Sequence, residues 1–499
     1  MNPILFQSKL NSEAIYCSDT DTILNKVLRF VPKYYKDRQG NEYMNTANAF
    51  DIETTSDSDG QRDFAYMYIW QLGINGYVIY GRTWQELIDT FKLIEERFEL
   101  NDKRFIVCYV HNLQFEFQFI RKRFQWNKVF SIKERRPVVA QTKSGIEFRC
   151  SYMLTGKSLA KVGEDLTEFN IKKMTGDLDY SLKRNYKTPL TEKELEYCFN
   201  DVRVVMALIQ EKIHQDGSIV KIPMTNTGYV RRHIRNACTH QKGDKNVSGK
   251  KFIRYRHLMD KMQLTPERYF MLKNAFQGGF THANSHWVDK TLENIHSFDE
   301  TSAYPYVMLA YQFPMNGGEE YRPKSIEDFR ECLNCYSCLF TIELFGVISK
   351  LDYDHPISVY KCVDLQNYSV DNGRLIKADH LIMTITEQDY FIYEEFYHWN
   401  EARIHKFIRY QRDYLPYDYV KAVLELYVKK TQLKGVIGKE VEYQISKSML
   451  NSAYGMMVTD ICRPSFNYTD DWSTSEADIE KEIEKYNHSL TRFTSYEWG

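Results

Sequence analysis

Residues 48–55 read NAFDIETT, a short strand-like run in which Asp51 and Glu53 stand two apart. Alternate side chains of a strand project from one face, so both carboxylates can reach the same ligand. Such a pair alone is common on strands that do no chemistry, and its meaning depends on what lies around it. Residues 108–120, CYVHNLQFEFQFI, read as a strand ending in a His-Asn turn, followed by a helix that presents Glu116. Residues 194–209, ELEYCFNDVRVVMALI, read as a helix with Tyr197 and Asp201 four apart, one turn along the same face. Four acids and a tyrosine delivered from strand and helix ends have the make-up of a two-metal site that hydrolyses phosphodiesters.

The setting of these segments is a region of alternating apolar strand runs and helical patterns, hence an α/β domain. The boundaries drawn from pattern and composition are a polar, turn-rich extension at 1–45, the α/β domain at 46–215 and a linker at 216–290. A second α/β region occupies 291–460, with paired strands near 335–395 and long helices near 412–433 and 440–456, and a polar, acidic tail follows at 461–499. No internal repeat is evident. The linker holds nine Lys or Arg against one acid between Arg231 and Arg256, and a second basic run lies between Arg121 and Arg136. With 66 basic and 67 acidic residues overall, affinity for nucleic acid has to come from such local patches. An aromatic share of 15%, with 37 Tyr, suits stacking on bases.

Ten cysteines show no secretory pairing pattern, and the opening MNPILFQSKL lacks an apolar signal core, which points to a reducing, cytoplasmic setting. No run approaches the roughly 18 apolar residues of a membrane helix, so no membrane partner is expected. Cys332, Cys335 and Cys338 have CxxCxxC spacing that could serve zinc or an iron–sulfur cluster. Without an evident fourth ligand, and on a segment that reads as a strand, buried thiols are the favoured reading.

In the second region, Lys447, Asn451 and Tyr454 of KSMLNSAYGMM lie at i, i+4 and i+7, so a cation, an amide and an aromatic share one helical stripe. Upstream, SFDETSAYPYVM places Asp299 at the end of an expected strand, with Tyr304 five residues on.

The words FDIETT, YVHNLQFEFQFI and YCFNDV resemble the three exonuclease motifs of family B DNA polymerases, in the form found in the protein-primed branch. SFDETSAYPYVM and KSMLNSAYGMM resemble polymerase motifs A and B of the same family. The resemblance implies an RNase H-like 3′–5′ exonuclease domain followed by a family B palm and fingers, and a proofreading DNA polymerase of viral or plasmid replication. It implies Asp51, Glu53, Glu116 and Asp201 as ligands of two Mg2+ or Mn2+ ions, with Tyr197 orienting the attacking water. It further implies His111, Asn112 and Phe115, and also Ser151 and Tyr180, as contacts to single-stranded DNA. In the polymerase part it implies Asp299 as a metal ligand, Tyr304 beneath the incoming sugar as a bar to ribonucleotides, and Lys430, Lys447, Asn451 and Tyr454 around the nucleotide. FQGGFTHAN looks like the template-binding YxGG element, with Phe276 in place of its tyrosine and Gln277, Gly278 and Gly279 following. Glu116 is a second departure, since that motif has Asp in the family.

More than 140 residues separate Asp299 from Lys447. The excess resembles the insertion that holds the terminal protein, the protein primer of this branch. The other implied partners are primer-template DNA and dNTPs. The family's motif C, YxDTDS, is expected after motif B and does not follow Gly455 here, so a complementing chain carrying it, a split gene or a truncation is expected, and synthesis by this chain alone is doubtful. The alternative is a metal-dependent 3′–5′ exonuclease or DNA-binding fragment. YCSDTDTI, residues 16–23, imitates motif C but precedes the exonuclease words, and is read as a polar surface turn.

Overall fold

The computed structural model describes residues 2–174, 179, 181–241, 243–281, 283–437 and 439–491. The chain divides into two compact units: Met1–Tyr229 with Arg463–Ala477, and Val230–Cys462 with Asp478–Gly499.

The first unit is built on one mixed sheet. Its strands are β1 (Ile15–Tyr16), β2 (Tyr34–Lys36), β3 (Glu42–Met44), β4 (Asn48–Ser58), β5 (Asp63–Ile74), β6 (Tyr77–Gly81), β7 (Arg104–Val110), β8 (Trp126–Ser131), β9 (Pro137–Thr142) and β10 (Ile146–Cys150). In the middle the order is β6-β5-β4-β7-β10: β4, β5 and β6 form an antiparallel meander, and β7 and β10 continue it in parallel. This is the strand order of an RNase H-like domain, the fold class read from the sequence.

Both faces of the sheet are covered, which is why β7 is apolar beyond Arg104 and why the two charges of β10, Glu147 and Arg149, are buried as an ion pair. On one face lies the Trp84–Phe98 helix, started by a Thr83/Glu86 capping box and burying Leu87, Phe91, Ile94 and Phe98 at helical spacing. On the other lies the 25-residue Glu192–Asp216 helix, capped by Thr191 and Glu194 and buried nearly all round from Tyr197 to Gln210. It approaches β5 so closely that a Cβ on Gly73 would sit 2.6 Å from Met206 Sδ. A larger residue there would force the Met206 side chain aside.

The first 45 residues are not an extension. Phe6, Leu10, Ile23 and Leu28 are fully buried, β1 pairs with β6, and β3 pairs with β7. Their apolar residues are too sparse to show a period, yet Phe6 and Leu10 join one core of the unit and Ile23 and Leu28 the other. The DTD stretch lies here as a helix start: Asp19 accepts the Thr22 N–H and both Asp19 and Asp21 are exposed, as expected of a polar turn. At the other end of the chain, Ser465–Tyr468 and Trp472–Ser475 form a hairpin that joins the free edge of β8.

The second unit contains a seven-stranded sheet in which Ser337–Ser349 runs antiparallel between Arg374–Thr386 and Glu401–Tyr410. The Ile326–Cys335 and Glu387–Phe396 helices pack on it through Phe329, Leu333, Tyr390 and Tyr393. Cys332 and Cys335 lie on the first of these helices, not on a strand, and only Cys338 is in the sheet. Cys332 and Cys338 are buried, and Cys335 is exposed. A separate helical group, Ala303–Ala310, Tyr417–Leu433 and Glu440–Met457, closes around Met308, Val423, Leu426 and Leu450.

The strand expected before Tyr304 does not form. Residues 291–300 are exposed coil, with Ile295 66% and Phe298 93% exposed. Strand geometry needs a neighbour for its N–H and C=O groups, and among the described residues none pairs with this segment.

Candidate active site

Strand β4 sets Asp51 and Glu53 on one face, and the β4–β5 register shifts directly after Glu53. From the Glu192–Asp216 helix comes Asp201. Oxygens of Asp51, Glu53 and Asp201 all lie within 4.8 Å of one another, the one such group of potential metal ligands among the described residues. Glu116, on the Leu113–Ile120 helix, stands close enough to Asp51 for its charge to push the Asp51 carboxyl up. Glu53, Glu116 and Asp201 are each under 9% exposed.

Two of these oxygens, Glu116 Oε2 and Asp201 Oδ1, are buried without a hydrogen-bond partner. Buried carboxylate oxygens are ordinarily satisfied, so the arrangement fits a set of acceptors awaiting a hard cation. The charges tell the same story. Burial, followed by the neighbouring carboxylates, pushes Asp51 well above the usual range. Burial and Asp201 push Glu53 up to about 7. Burial pushes Glu116 up to about 8. Asp201 is also raised by burial, an effect opposed by Lys173, whose ammonium donates to Asp201 Oδ2 at 2.8 Å.

These shifts carry a prediction for stability. An acid with a raised folded pKa holds its proton while the unfolded chain, titrating near pH 4, has lost it, so the folded state binds more protons and stability falls as pH rises from about 4 towards 8. The melting temperature of chelated protein should therefore decline over that window. Mg2+ should restore most at the upper end, and Glu116→Gln should flatten the slope. An equally steep slope in that variant counts against Glu116 as a source of it.

Tyr197, one turn before Asp201, is 5% exposed, with the Lys173 ammonium 5.6 Å from its ring centroid. At the rim, Asn112 adopts a left-handed backbone (φ 78°) and is exposed, and Phe115 is 42% exposed beside Phe119. His111 and Ser151 face each other at 3.0 Å, and burial lowers the imidazole to about 4, so the ring is neutral. Ser151 is fully buried with its hydroxyl between His111 and the Val110 carbonyl. It therefore orients His111 and offers no surface to a DNA strand, contrary to expectation. Tyr180 lies outside the described residues.

Lys173 and Gln71 escaped the sequence reading. Gln71 faces Asp51 across the β4–β5 pair, fully buried, with both amide atoms unpartnered. Its only signal was a polar residue within an apolar strand. Lys173 stands in a loop, where no periodicity marks it.

In the second unit, Tyr304 and Tyr454 stack at 3.9 Å between centroids and 16° between planes. One comes from the Ala303–Ala310 helix and the other from Glu440–Met457. Lys430 donates to Ser302 Oγ at 2.7 Å, which ties the Tyr417–Leu433 helix to the turn before Tyr304. Lys447 and Asn451 lie with Gln444, Ser448 and Ser452 along one open face of the Glu440–Met457 helix. Asp299 is exposed in the unpaired coil, so its expected strand-end position is not formed. In the linker, Phe276 is 45% exposed and a Cβ on Gly278 would meet open space, while one on Gly279 would lie 3.7 Å from Tyr304 Oη. Gln277 is held within the protein, its amide donating to Tyr393 Oη at 2.7 Å and Asp389 at 3.3 Å.

Residues 164–496 match the family "DNA polymerase type B, organellar and viral". The chain belongs to that family. This family B chain is 23% identical to the DNA polymerase of Bacillus phage Nf over 424 residues, covering 81% of itself and 66% of that protein. To the polymerase of Bacillus phage B103 it is 23% identical over 313 residues, 59% of itself and 50% of the relative. It thus spans just under two thirds of the first relative's length and half of the second's. Among solved structures, Phi29 DNA polymerase complexed with primer-template DNA is similar with a TM-score of 0.63 and 16% identity, covering 90% of this chain and 76% of that one. The Phi29 ternary complex with primer-template DNA and incoming nucleotides gives 0.63, 15%, 91% and 77%. At this identity the likeness establishes the fold.

Proposed function

We propose that this family B chain is a DNA-directed DNA polymerase of the protein-primed type with a 3′–5′ proofreading exonuclease, acting in a host cytoplasm on primer-template and single-stranded DNA with dNTPs and a terminal protein primer. The observation that carries the exonuclease part is the close group of Asp51, Glu53 and Asp201, with Glu116 beside Asp51 and a buried, unpartnered oxygen on each of Glu116 and Asp201. These residues would hold two Mg2+ or Mn2+ ions, which when bound activate water and stabilise the leaving oxygen of a phosphodiester. Neutral His111, oriented by Ser151, and the exposed Asn112 and Phe115 receive the strand end, Phe115 by stacking. Tyr197 directs its hydroxyl to the attacking water, and Lys173 offsets part of the excess negative charge through Asp201.

The polymerase part rests on Tyr304, Tyr454, Lys430, Lys447 and Asn451, with Asp299 as its metal ligand. Lys430 and Lys447 meet the triphosphate as point charges. The unpaired coil at 291–300 favours a second reading, in which this chain degrades and binds DNA but does not extend it. One experiment addresses both: the chain is incubated with a 5′-labelled primer-template and Mg2+, with and without dNTPs. Shortening from the 3′ end that EDTA stops is expected. Extension when dNTPs are added, by the chain alone or once a chain carrying motif C is supplied, decides for the first reading, and shortening alone under both conditions decides for the second. An unaltered oligonucleotide rejects the exonuclease assignment.

A further inference from the structure

Residues 463–477 pack with the carboxylate-bearing unit, although their neighbours in sequence on both sides belong to the other. Their backbone attachment is slight: in the hairpin, Phe466 alone bridges to β8, opposite Ser131. Aromatic rings make the rest of the contact. Tyr468 meets Phe117 edge-on at 5.3 Å and Trp472 meets it at 5.7 Å, while Tyr468 and Trp472 lie 5.3 Å apart. Arg121 adds a second hold, its guanidinium 5.9 Å from the Tyr468 ring and 3.4 Å from Asp471.

Phe117 and Arg121 sit on and just past the helix that carries Glu116, and Phe117 is the next residue along. That helix has eight residues, too few to persist on its own propensity, so packing decides where it lies. Glu116 has one oxygen without a partner, so its carboxylate end does little to fix it, and the placement of the helix matters all the more.

We propose that the hairpin is a positioning element of the carboxylate site: Tyr468 and Trp472 clamp the Leu113–Ile120 helix through Phe117 and so keep Glu116 set towards Asp51 for metal binding. Cation loading and 3′-end hydrolysis then depend on a segment rooted in the other unit. The inference rests on the exonuclease reading above and adds residues that contact neither metal nor DNA.

The test uses the full chain and the double variant Tyr468→Ala/Trp472→Ala. Mn2+ affinity is read by electron paramagnetic resonance without DNA, amide hydrogen exchange is read over residues 113–120, and kcat and KM are measured on single-stranded oligonucleotide. Removal of an outer support for a metal ligand is expected to weaken Mn2+ binding by about tenfold. Exchange in the helix should quicken, and kcat should fall with KM little changed. Tyr468→Phe/Trp472→Phe, which keeps the rings, should recover both affinity and kcat. Parent-like Mn2+ affinity and helix exchange in a folded double variant overturn the proposal. Should the alanine variant not fold, a cycle between Phe117→Leu and Trp472→Leu, which removes the ring, replaces it, and additive effects on Mn2+ affinity there also overturn the clamp. A parent that binds Mn2+ but leaves DNA intact refutes the exonuclease reading instead, while affinity and exchange still report on the clamp.

Discussion

Asp51→Ala/Glu53→Ala is expected to lower 3′–5′ degradation of single-stranded DNA by on the order of 10²–10³-fold or more, the scale on which groups that organise transition-state charge are felt. Two of the three mutually close carboxylates disappear, leaving Asp201 and the neighbouring Glu116. The variant should remain folded. Removing acids whose ionisation is opposed by burial and by one another relieves the native state, so its melting temperature at pH 8 without metal should equal or exceed the parent's. Binding of single-stranded DNA should persist, since Asn112 and Phe115 are untouched. Degradation at the parent rate, measured on a labelled oligonucleotide, removes the metal assignment from this cluster.

Tyr304→Val is expected to weaken discrimination between dNTP and rNTP on the order of a hundredfold, the scale on which a pocket distinguishes small differences in substrate bulk. Tyr304 stacks flat on Tyr454, with Gly279 beside its hydroxyl. Valine gives up the stack and opens space where the ring would adjoin the sugar. Tyr304→Phe keeps the ring and should keep the discrimination. The ratio can be read from primer extension and, independently of turnover, from the stabilisation of a primer-template complex by each nucleotide. An unchanged ratio in the valine variant takes Tyr304 out of the sugar gate.

Residue spacing made part of this legible in advance. Asp51 and Glu53 two apart on a strand, and Tyr197 and Asp201 four apart on a helix, are periodicities that short-range geometry enforces, and the structure brings those side chains to one place. Tyr304 and Tyr454 show the limit of that logic, because each motif marked its own residue but neither could show that the rings meet. Lys173 reached Asp201 from a loop, Ser151 turned inward to His111, and Phe6 and Leu10 entered the core from a stretch without apolar period. Each is decided by tertiary contacts. The segment before Asp299 erred the other way, since its strand-like composition describes a preference that only a partner strand can realise.

The return of residues 463–477 to the first unit has a consequence for how the protein is made. When Tyr229 leaves the ribosome, everything else in that unit already exists, yet the rim of β8 and the ring of Phe117 still lack their cover. At 5–20 residues per second, synthesis of the intervening 230–462 takes roughly 10–50 s. Throughout that interval the nascent chain carries an open strand edge beside an uncovered aromatic, the kind of surface that recruits a neighbouring chain. Closely spaced ribosomes translating one message would therefore present the same unsealed rim to one another, and yield should respond to translation speed through 230–462 more than to speed anywhere else in the gene.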